Sequence, residues 1–135
     1  MLKTRCIYTT PEPQDGVRIS IMSRHTLSDG VTPDPAIVPA SYHLWVPELG
    51  PPPKLIGDHY KRNLPWEQFE ARYLTHLQQE ATRDIRLLIE EAHLHDITLL
   101  CCEPEPEKGK ILLCHRRLLA EYCKELEPKL EILVR

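Results

Sequence analysis

The sequence predicts an α/β protein with a small mixed or mostly parallel sheet of about four strands, helices packed on the faces of that sheet, and a long proline-rich loop. Three observations predict it. Short β-prone runs alternate with helical periodicity in the order β-β-α-α-β-α-β. The 135 residues suit one domain, so we expect a single domain over 1–135. Proline is concentrated in residues 31–65, where regular structure is disfavoured.

The first two strands are expected to be short. Residues 5–9 form a β-prone run that Pro11 ends. Residues 17–23 alternate apolar and polar side chains with period two, which is typical of a strand with one buried face. Asp15-Gly16 marks a turn before the second strand.

Residues 31–65 are predicted to be an ordered, mostly extended loop, because proline lacks the N–H that helix interiors and central strands need. Apolar side chains, Trp45 above all, distinguish this segment from a disordered linker. Long ordered loops often bind ligands or act as lids. A loop that only wraps one face of the sheet explains the same pattern.

Helical periodicity runs from Pro65, which suits the first turn of a helix, to His93. A single helix of that length would be roughly 43 Å long, too long for a domain of this size. We therefore predict two helices with a break at 80–82, where Thr82 would be the N-cap.

A strand over 97–102, a polar loop, a helix that Pro128 ends, and a last strand over 130–134 complete the prediction. We expect the last helix to start before Cys114 and to extend through it, because residues 108–113 can lengthen it. A helix that starts at Cys114 is the alternative.

The end of the strand 97–102 carries the predicted catalytic residues. Ligands of open α/β sheets bind outside the carboxyl ends of the strands, which favours a site here. In a first helical turn a thiolate would be stabilised by the helix dipole and by neighbouring cations. Core packing is the alternative, and it suits Cys102, which faces away from Cys101. The predicted catalytic residues are Cys101, Glu103, Cys114 and His115.

A second cluster follows the strand 17–23. If the two strands are parallel neighbours, we expect Arg24, Cys101 and Glu103 to converge in one pocket. Cations, imidazoles and an aromatic wall suit a small anionic or nucleotide-like ligand, although a strand-end arginine is often simply solvated. The predicted ligand-binding residues are Arg24, His25, His43, Trp45 and, as an anion clamp, Arg116.

Metal and cofactor motifs are absent from the sequence. Without a Cys-x-x-Cys pair or a His-Glu-x-x-His pattern, we predict no metal and no cofactor. A phosphate-binding glycine loop, a Gly-x-Ser-x-Gly elbow and a Cys-x5-Arg loop are also missing, so no established enzyme class is indicated.

The pattern Cys101-x-Glu103 followed by Cys114-His115-Arg116 resembles the domain of unknown function 488 family. The resemblance extends to the Asp15-Gly16-x-Arg18 turn and to Arg24, and it covers nearly the whole chain. It implies an α/β fold and a candidate site that includes Arg18. The family's two cysteines are closer in sequence than Cys101 and Cys114.

Charge and composition limit the function classes. A net charge of −3 argues against strong binding to duplex DNA. We expect neither a membrane span nor a signal peptide, and hence a cytoplasmic location with reduced cysteines. Two functions remain open: a thiol-dependent enzyme, or a non-catalytic binding module for an anionic or nucleic-acid-related ligand, with structural cysteines. The oligomeric state is not predicted.

Overall fold

The computed structural model describes all residues, Met1–Arg135. One sheet of five strands is combined with four helices, which confirms the α/β class. The strands are β1 (Leu2–Cys6), β2 (Val17–Ser20), β3 (Leu44–Trp45), β4 (Ile97–Cys101) and β5 (Ile132–Leu133). The helices are α1 (Pro53–Tyr60), α2 (Trp66–Glu80), α3 (Thr82–Leu94) and α4 (His115–Leu126).

The sheet has the order β3-β2-β4-β1-β5, and every neighbouring pair is parallel. It thus has one strand more than expected and is wholly parallel. All five residues of β4 are buried, as expected for the central strand of a parallel sheet. Because β1 and β2 flank β4 in parallel, the carboxyl ends of these three strands meet at one edge.

The two faces of the sheet are covered differently. Leu2, Ile19 and Leu99 share one face, and they join a hydrophobic core with residues of all four helices. The opposite face carries Arg18 and Thr98 and is covered by the β1–β2 connection, whose Asp15 carbonyl accepts a hydrogen bond from Thr98 Oγ1 at 2.6 Å. All four helices contribute to the core on one face of the sheet, whereas the β1–β2 connection covers Arg18 and Thr98 on the other.

Several predicted boundaries shift. The first strand lies at Leu2–Cys6 rather than 5–9, because Leu2 already pairs with Ile97 and the chain turns after Cys6. The predicted break between two helices is confirmed, since α2 ends at Glu80 and α3 begins at Thr82. Thr82 is not the N-cap, because its hydroxyl donates to the Gln78 carbonyl of the preceding helix and Ala81 takes the cap position.

The proline-rich segment contains more regular structure than a mostly extended loop. Pro53 occupies the first turn of α1, where its missing N–H costs nothing. β3 pairs with β2 at the edge of the sheet, and Trp45 Nε1 donates to the Met22 carbonyl at 2.7 Å. None of the four helices is long and apolar enough to cross a membrane.

Candidate active site

Two thiols and an imidazole gather at the carboxyl edge of the sheet. Cys101 ends β4, Cys114 is the N-cap of α4, and His115 is the first residue of that helix. The two sulfur atoms and one ring nitrogen of His115 all lie within 4.8 Å of one another. Cys101 Sγ is 3.6 Å from His115 Nδ1. The strand end and the helix start together therefore build one compact cluster.

The start of α4 at His115 corrects the expectation of a helix that runs through Cys114. Cys114 is extended (φ −150°, ψ 147°), and its carbonyl accepts the N–H of Arg117 at 3.1 Å. Gly109 (φ 84°) lies in a turn in the preceding segment, and Arg117 Nε donates to the Leu112 carbonyl. These contacts keep 108–113 out of the helix, so Cys114 lies at the positive end of the helix dipole.

The His115 ring has a defined orientation. Its Nε2 lies 2.9 Å from the carbonyl oxygen of Ile21, just past the end of β2. A carbonyl only accepts hydrogen bonds, so Nε2 carries a proton in this contact. Nδ1 is then free to exchange a proton with the thiols. This arrangement is the usual way in which a second partner fixes the tautomer of a functional histidine.

The pKa values of this cluster are shifted in opposite directions. Burial raises the pKa of Cys114, but a hydrogen bond from the Cys101 thiol and the charges of His115 and Arg116 outweigh it and lower that pKa well below 9.0. Hydrogen bonds to Cys102 and Cys114, together with burial, raise the pKa of Cys101. Burial lowers the pKa of His115, but the Cys114 charge and the Ile21 carbonyl raise it above 6.5. These directions favour Cys114 as the more acidic thiol of the pair.

Arg116 does not act as an anion clamp, which corrects the prediction. Its guanidinium is fully buried and donates to the carbonyls of Glu103, at 2.6 Å, and Arg135, at 2.9 and 3.0 Å. A buried guanidinium needs partners for its donors, and these carbonyls use them. Its remaining contribution to the site is a 3.8 Å contact between Nη1 and Cys114 Sγ.

A cavity of about 690 Å³ opens onto the cluster. It brings together all four predicted catalytic residues, Cys101, Glu103, Cys114 and His115, and one predicted ligand-binding residue, Arg24. Glu103 has no ion pair with Arg24. Its carboxylate accepts a hydrogen bond from the Tyr60 hydroxyl at 2.8 Å instead.

The cavity also contains residues that the sequence interpretation missed. They come from the β1–β2 connection and from α1 and α2, and the missed helix α1 explains Tyr60 and, at its C-cap, Lys61. The sequence signal for Trp66 and Phe69 is their helical spacing, which is equally typical of core residues. These residues are Tyr8, Tyr60, Lys61, Trp66 and Phe69.

The acidic and the basic side chains of the cavity wall differ in their hydrogen-bond partners. The two acids accept hydrogen bonds from tyrosines, Asp34 from Tyr8 and Glu103 from Tyr60. Arg24 makes one hydrogen bond, to the Gly30 carbonyl at 3.1 Å, and the Lys61 ammonium makes none. Arg24 and Lys61 therefore present cationic donors to the cavity.

Besides Arg116, four predicted ligand-binding residues lie outside the cavity wall. Arg18 is buried and ion-paired with Asp15 at 2.7 Å, since it starts from the opposite face of the sheet. His43 Nδ1 accepts the Arg18 backbone N–H. His25 stacks on Trp45 with ring centroids 4.0 Å apart, and its Nε2 lies 2.7 Å from Ser20 Oγ. These contacts hold the proline-rich segment onto the sheet.

The cluster also offers metal-ligand atoms. Two cysteine sulfurs and one imidazole nitrogen are a donor set that suits zinc. Glu103 lines the same cavity but is not one of the three clustered donors.

Fold and site together define an α/β protein with a thiol–imidazole cluster at the carboxyl edge of a parallel sheet. A family model described as "Active DUF488-N3 subclade" matches residues 2–127, and the chain belongs to this subclade of the domain of unknown function 488 family. No curated protein and no solved structure matches the chain.

Proposed function

We propose that this protein is a thiol-dependent enzyme that acts on a small anionic or nucleotide-like substrate, with Cys114 as its nucleophile. One observation carries the proposal: Cys114 lies at the start of α4, beside His115 and Cys101, on the wall of the cavity. A helix N-terminus with an adjacent imidazolium is the environment that favours a reactive thiolate. The chain would act in the cytoplasm, where such thiols stay reduced.

Each residue of the cluster has a separate role in the proposed reaction. Cys114 Sγ forms a bond to an electrophilic atom of the substrate, and the leaving group departs with the electron pair of the broken bond. His115 Nδ1 supplies the proton that this leaving group needs, while Nε2 stays bonded to the Ile21 carbonyl. Cys101 supports the thiolate by donating a hydrogen bond to it.

The substrate class follows from the rest of the wall. Arg24 and Lys61 keep free donors, which favours an anionic group, whereas the acids are satisfied by tyrosines. Trp66, Phe69 and Tyr60 provide aromatic surface of the kind on which bases stack. A nucleoside monophosphate combines both features.

The burial of the cysteines favours the second candidate function, a non-catalytic binding module. Cys101 is 3% exposed and Cys114 2% exposed, as expected for core residues. In that case the cavity would bind the same ligand class and the thiols would only fill space. The two functions differ in the reactivity of Cys114.

Iodoacetamide labelling of the native chain between pH 5 and 9 tests the nucleophile. We expect Cys114 to be labelled rapidly at pH 6, because its pKa lies well below 9.0. Cys114→Ser should abolish the rapid phase, and Cys123→Ala is the matched control, because that buried core thiol has its pKa raised to about 12. Labelling of Cys114 only after unfolding would establish the binding module instead.

Protection from iodoacetamide tests the ligand class. Adenosine monophosphate should slow the labelling of Cys114 in the wild type more than inorganic phosphate does, because only the nucleotide reaches the aromatic wall. Arg24→Gln should weaken protection by both probes at least about tenfold, the loss of one charge-assisted contact. Equal protection of wild type and variant would exclude Arg24 from the ligand site.

A further inference from the structure

The candidate site contains a second thiol whose chemistry the proposed reaction does not use. Cys101 Sγ and Cys114 Sγ lie within 4.8 Å of each other, one at the end of β4 and the other at the start of α4. Both line the cavity of about 690 Å³, which is the route by which a small oxidant would reach these two buried thiols. Neither is part of a disulfide in this structure.

We propose that a hydroperoxide oxidises Cys114 and that Cys101 resolves the product as a reversible Cys101–Cys114 disulfide, which switches the site off. The inference rests on the proposed nucleophile, because the same Cys114 thiolate attacks the peroxide. It adds a modification site and a form of regulation to the proposed enzyme.

Atoms and electrons balance in both steps. Cys114 sulfur attacks one peroxide oxygen, the O–O bond breaks, and the departing oxygen takes a proton, which gives a Cys114 sulfenic acid and an alcohol or water. The Cys101 sulfur then attacks Cys114 sulfur, the S–O bond breaks, and the hydroxyl leaves as water with the Cys101 proton. Cys114 and Cys101 are oxidised by two electrons in total, and the peroxide is reduced.

The geometry favours Cys101 over the other cysteines as the resolving thiol. Cys102 also lines the cavity and hydrogen-bonds to Cys101, but it is not one of the three clustered donor residues Cys101, Cys114 and His115. A Cys101–Cys102 bridge would close a strained ring between adjacent residues. Cys6 bonds to the Cys102 carbonyl, and Cys123 lies in the core among the helices. Neither of these two cysteines lines the cavity.

His115 assists both steps from one position. Its Nδ1 is 3.6 Å from Cys101 Sγ, within reach of the proton that Cys101 must lose before it attacks. The Ile21 carbonyl keeps the ring in place meanwhile. Once the disulfide has formed, Cys114 has no free thiolate and cannot act as a nucleophile. A thiol reductant restores it.

The test is to add one equivalent of hydrogen peroxide to the reduced full chain, block free thiols with N-ethylmaleimide, and map the products after trypsin. Cleavage at Lys108, Lys110 and Arg116 separates a peptide with Cys101 and Cys102 from one with Cys114. We expect these two peptides to be linked and dithiothreitol to release them. Cys102→Ser should give the same link. Cys101→Ser should instead accumulate a Cys114 sulfenic acid that dimedone traps.

The outcomes separate this inference from the proposed function. Rapid iodoacetamide labelling of Cys114 at pH 6 with no peroxide-induced link would overturn the inference and leave the nucleophile intact. Slow labelling together with no link would overturn both. A bridge within the 101–102 peptide, or loss of the link in Cys102→Ser, would show that Cys101 is not the resolving thiol. The wild-type map alone decides the inference if a variant fails to fold.

Discussion

Two arginines that the sequence pattern suggested for ligand binding are instead buried structural residues. Arg18 donates to Asp15, Ser41 and Thr9, and Arg116 donates to Glu103 and Arg135. A guanidinium leaves water at a high cost, which is offset only when its donors are used. Sequence alone does not separate such an arginine from a ligand-binding one, because both are single cations near a strand.

Asp15→Asn tests this role. Burial raises the pKa of Asp15, but a backbone hydrogen bond from Glu12 and the contact with Arg18 outweigh it and lower that pKa below 3.8. The stabilisation is therefore present above about pH 4 and is lost as pH falls through the lowered value. At pH 7 the variant should lose about 3–5 kcal/mol of unfolding free energy in urea, because Arg18 stays buried without its partner.

Glu121→Gln is the matched control for that measurement, since it breaks the more exposed ion pair with Arg117. We expect it to cost less than about 1 kcal/mol. Similar losses in the two variants would mean that burial does not decide the strength of the Asp15–Arg18 pair.

His115→Asn should shift the labelling of Cys114 to higher pH. The imidazolium lowers the pKa of Cys114, so its removal raises that pKa and leaves less thiolate at pH 6. The rate profile with iodoacetamide measures this directly. Arg24→Gln, which changes a cavity cation without contact to the cluster, is the comparison. An unchanged profile in His115→Asn would show that His115 does not lower the pKa of Cys114.

At the scale of elements, long periodic segments were predictable and short ones were not. The break between α2 and α3 and the buried strand β4 follow from spacing and apolar content alone. The two-residue strand β3 and the eight-residue helix α1 lie among prolines, and local propensity argues against both. Pairing with β2 stabilises β3 regardless, which is a tertiary effect that no local pattern contains.

The candidate site was likewise predictable only in part. The gathering of Cys101, Glu103 and Cys114 follows from the rule that sites lie at carboxyl ends of parallel strands. The start of α4 was not predictable, because the residues before Cys114 are compatible with helix and only the Arg117–Leu112 contact and the Gly109 turn hold them outside it. The presence of Tyr60 and Lys61 in the cavity wall was not predictable, because it depends on helix α1.

Gly16→Ala tests the turn that leads into β2. Gly16 has φ +65° and ψ −136°, and an added Cβ would lie 2.0 Å from the Asp96 carbonyl oxygen. We expect a loss of more than about 3 kcal/mol, from backbone strain plus displacement of a neighbouring backbone. Gly109→Ala, also at positive φ but with open space around it, should cost only about 1 kcal/mol. Thermal unfolding of both variants gives the comparison.

For the whole molecule, a shared core joins residues of all four helices to β1, β2 and β4. We therefore predict one cooperative unfolding transition that includes the proline-rich segment. In Trp66→Phe, the fluorescence of Trp45 reports on that segment, and far-ultraviolet circular dichroism reports on the helices. The two transitions should coincide in urea. An earlier fluorescence transition would show that 31–56 unfolds independently.

The net charge of −3 also predicts behaviour of the whole molecule. Duplex DNA should show no saturable binding at physiological salt, because phosphate contacts need a basic surface that releases counterions. Fluorescence anisotropy of a labelled duplex measures this. Salt-dependent saturation at micromolar protein would contradict the prediction.

The connection between Cys101 and Cys114 is held at both ends by arginine side chains. Arg116 Nη1 donates to the Glu103 carbonyl near one end of this connection, and Arg117 Nε donates to the Leu112 carbonyl near the other. Gly109, between these two contacts, has open space around it. Doubling such a loop costs only about 0.6 kcal/mol. This connection is therefore the place where an epitope, a fluorophore or an additional recognition segment can be grafted next to the cavity without rebuilding it.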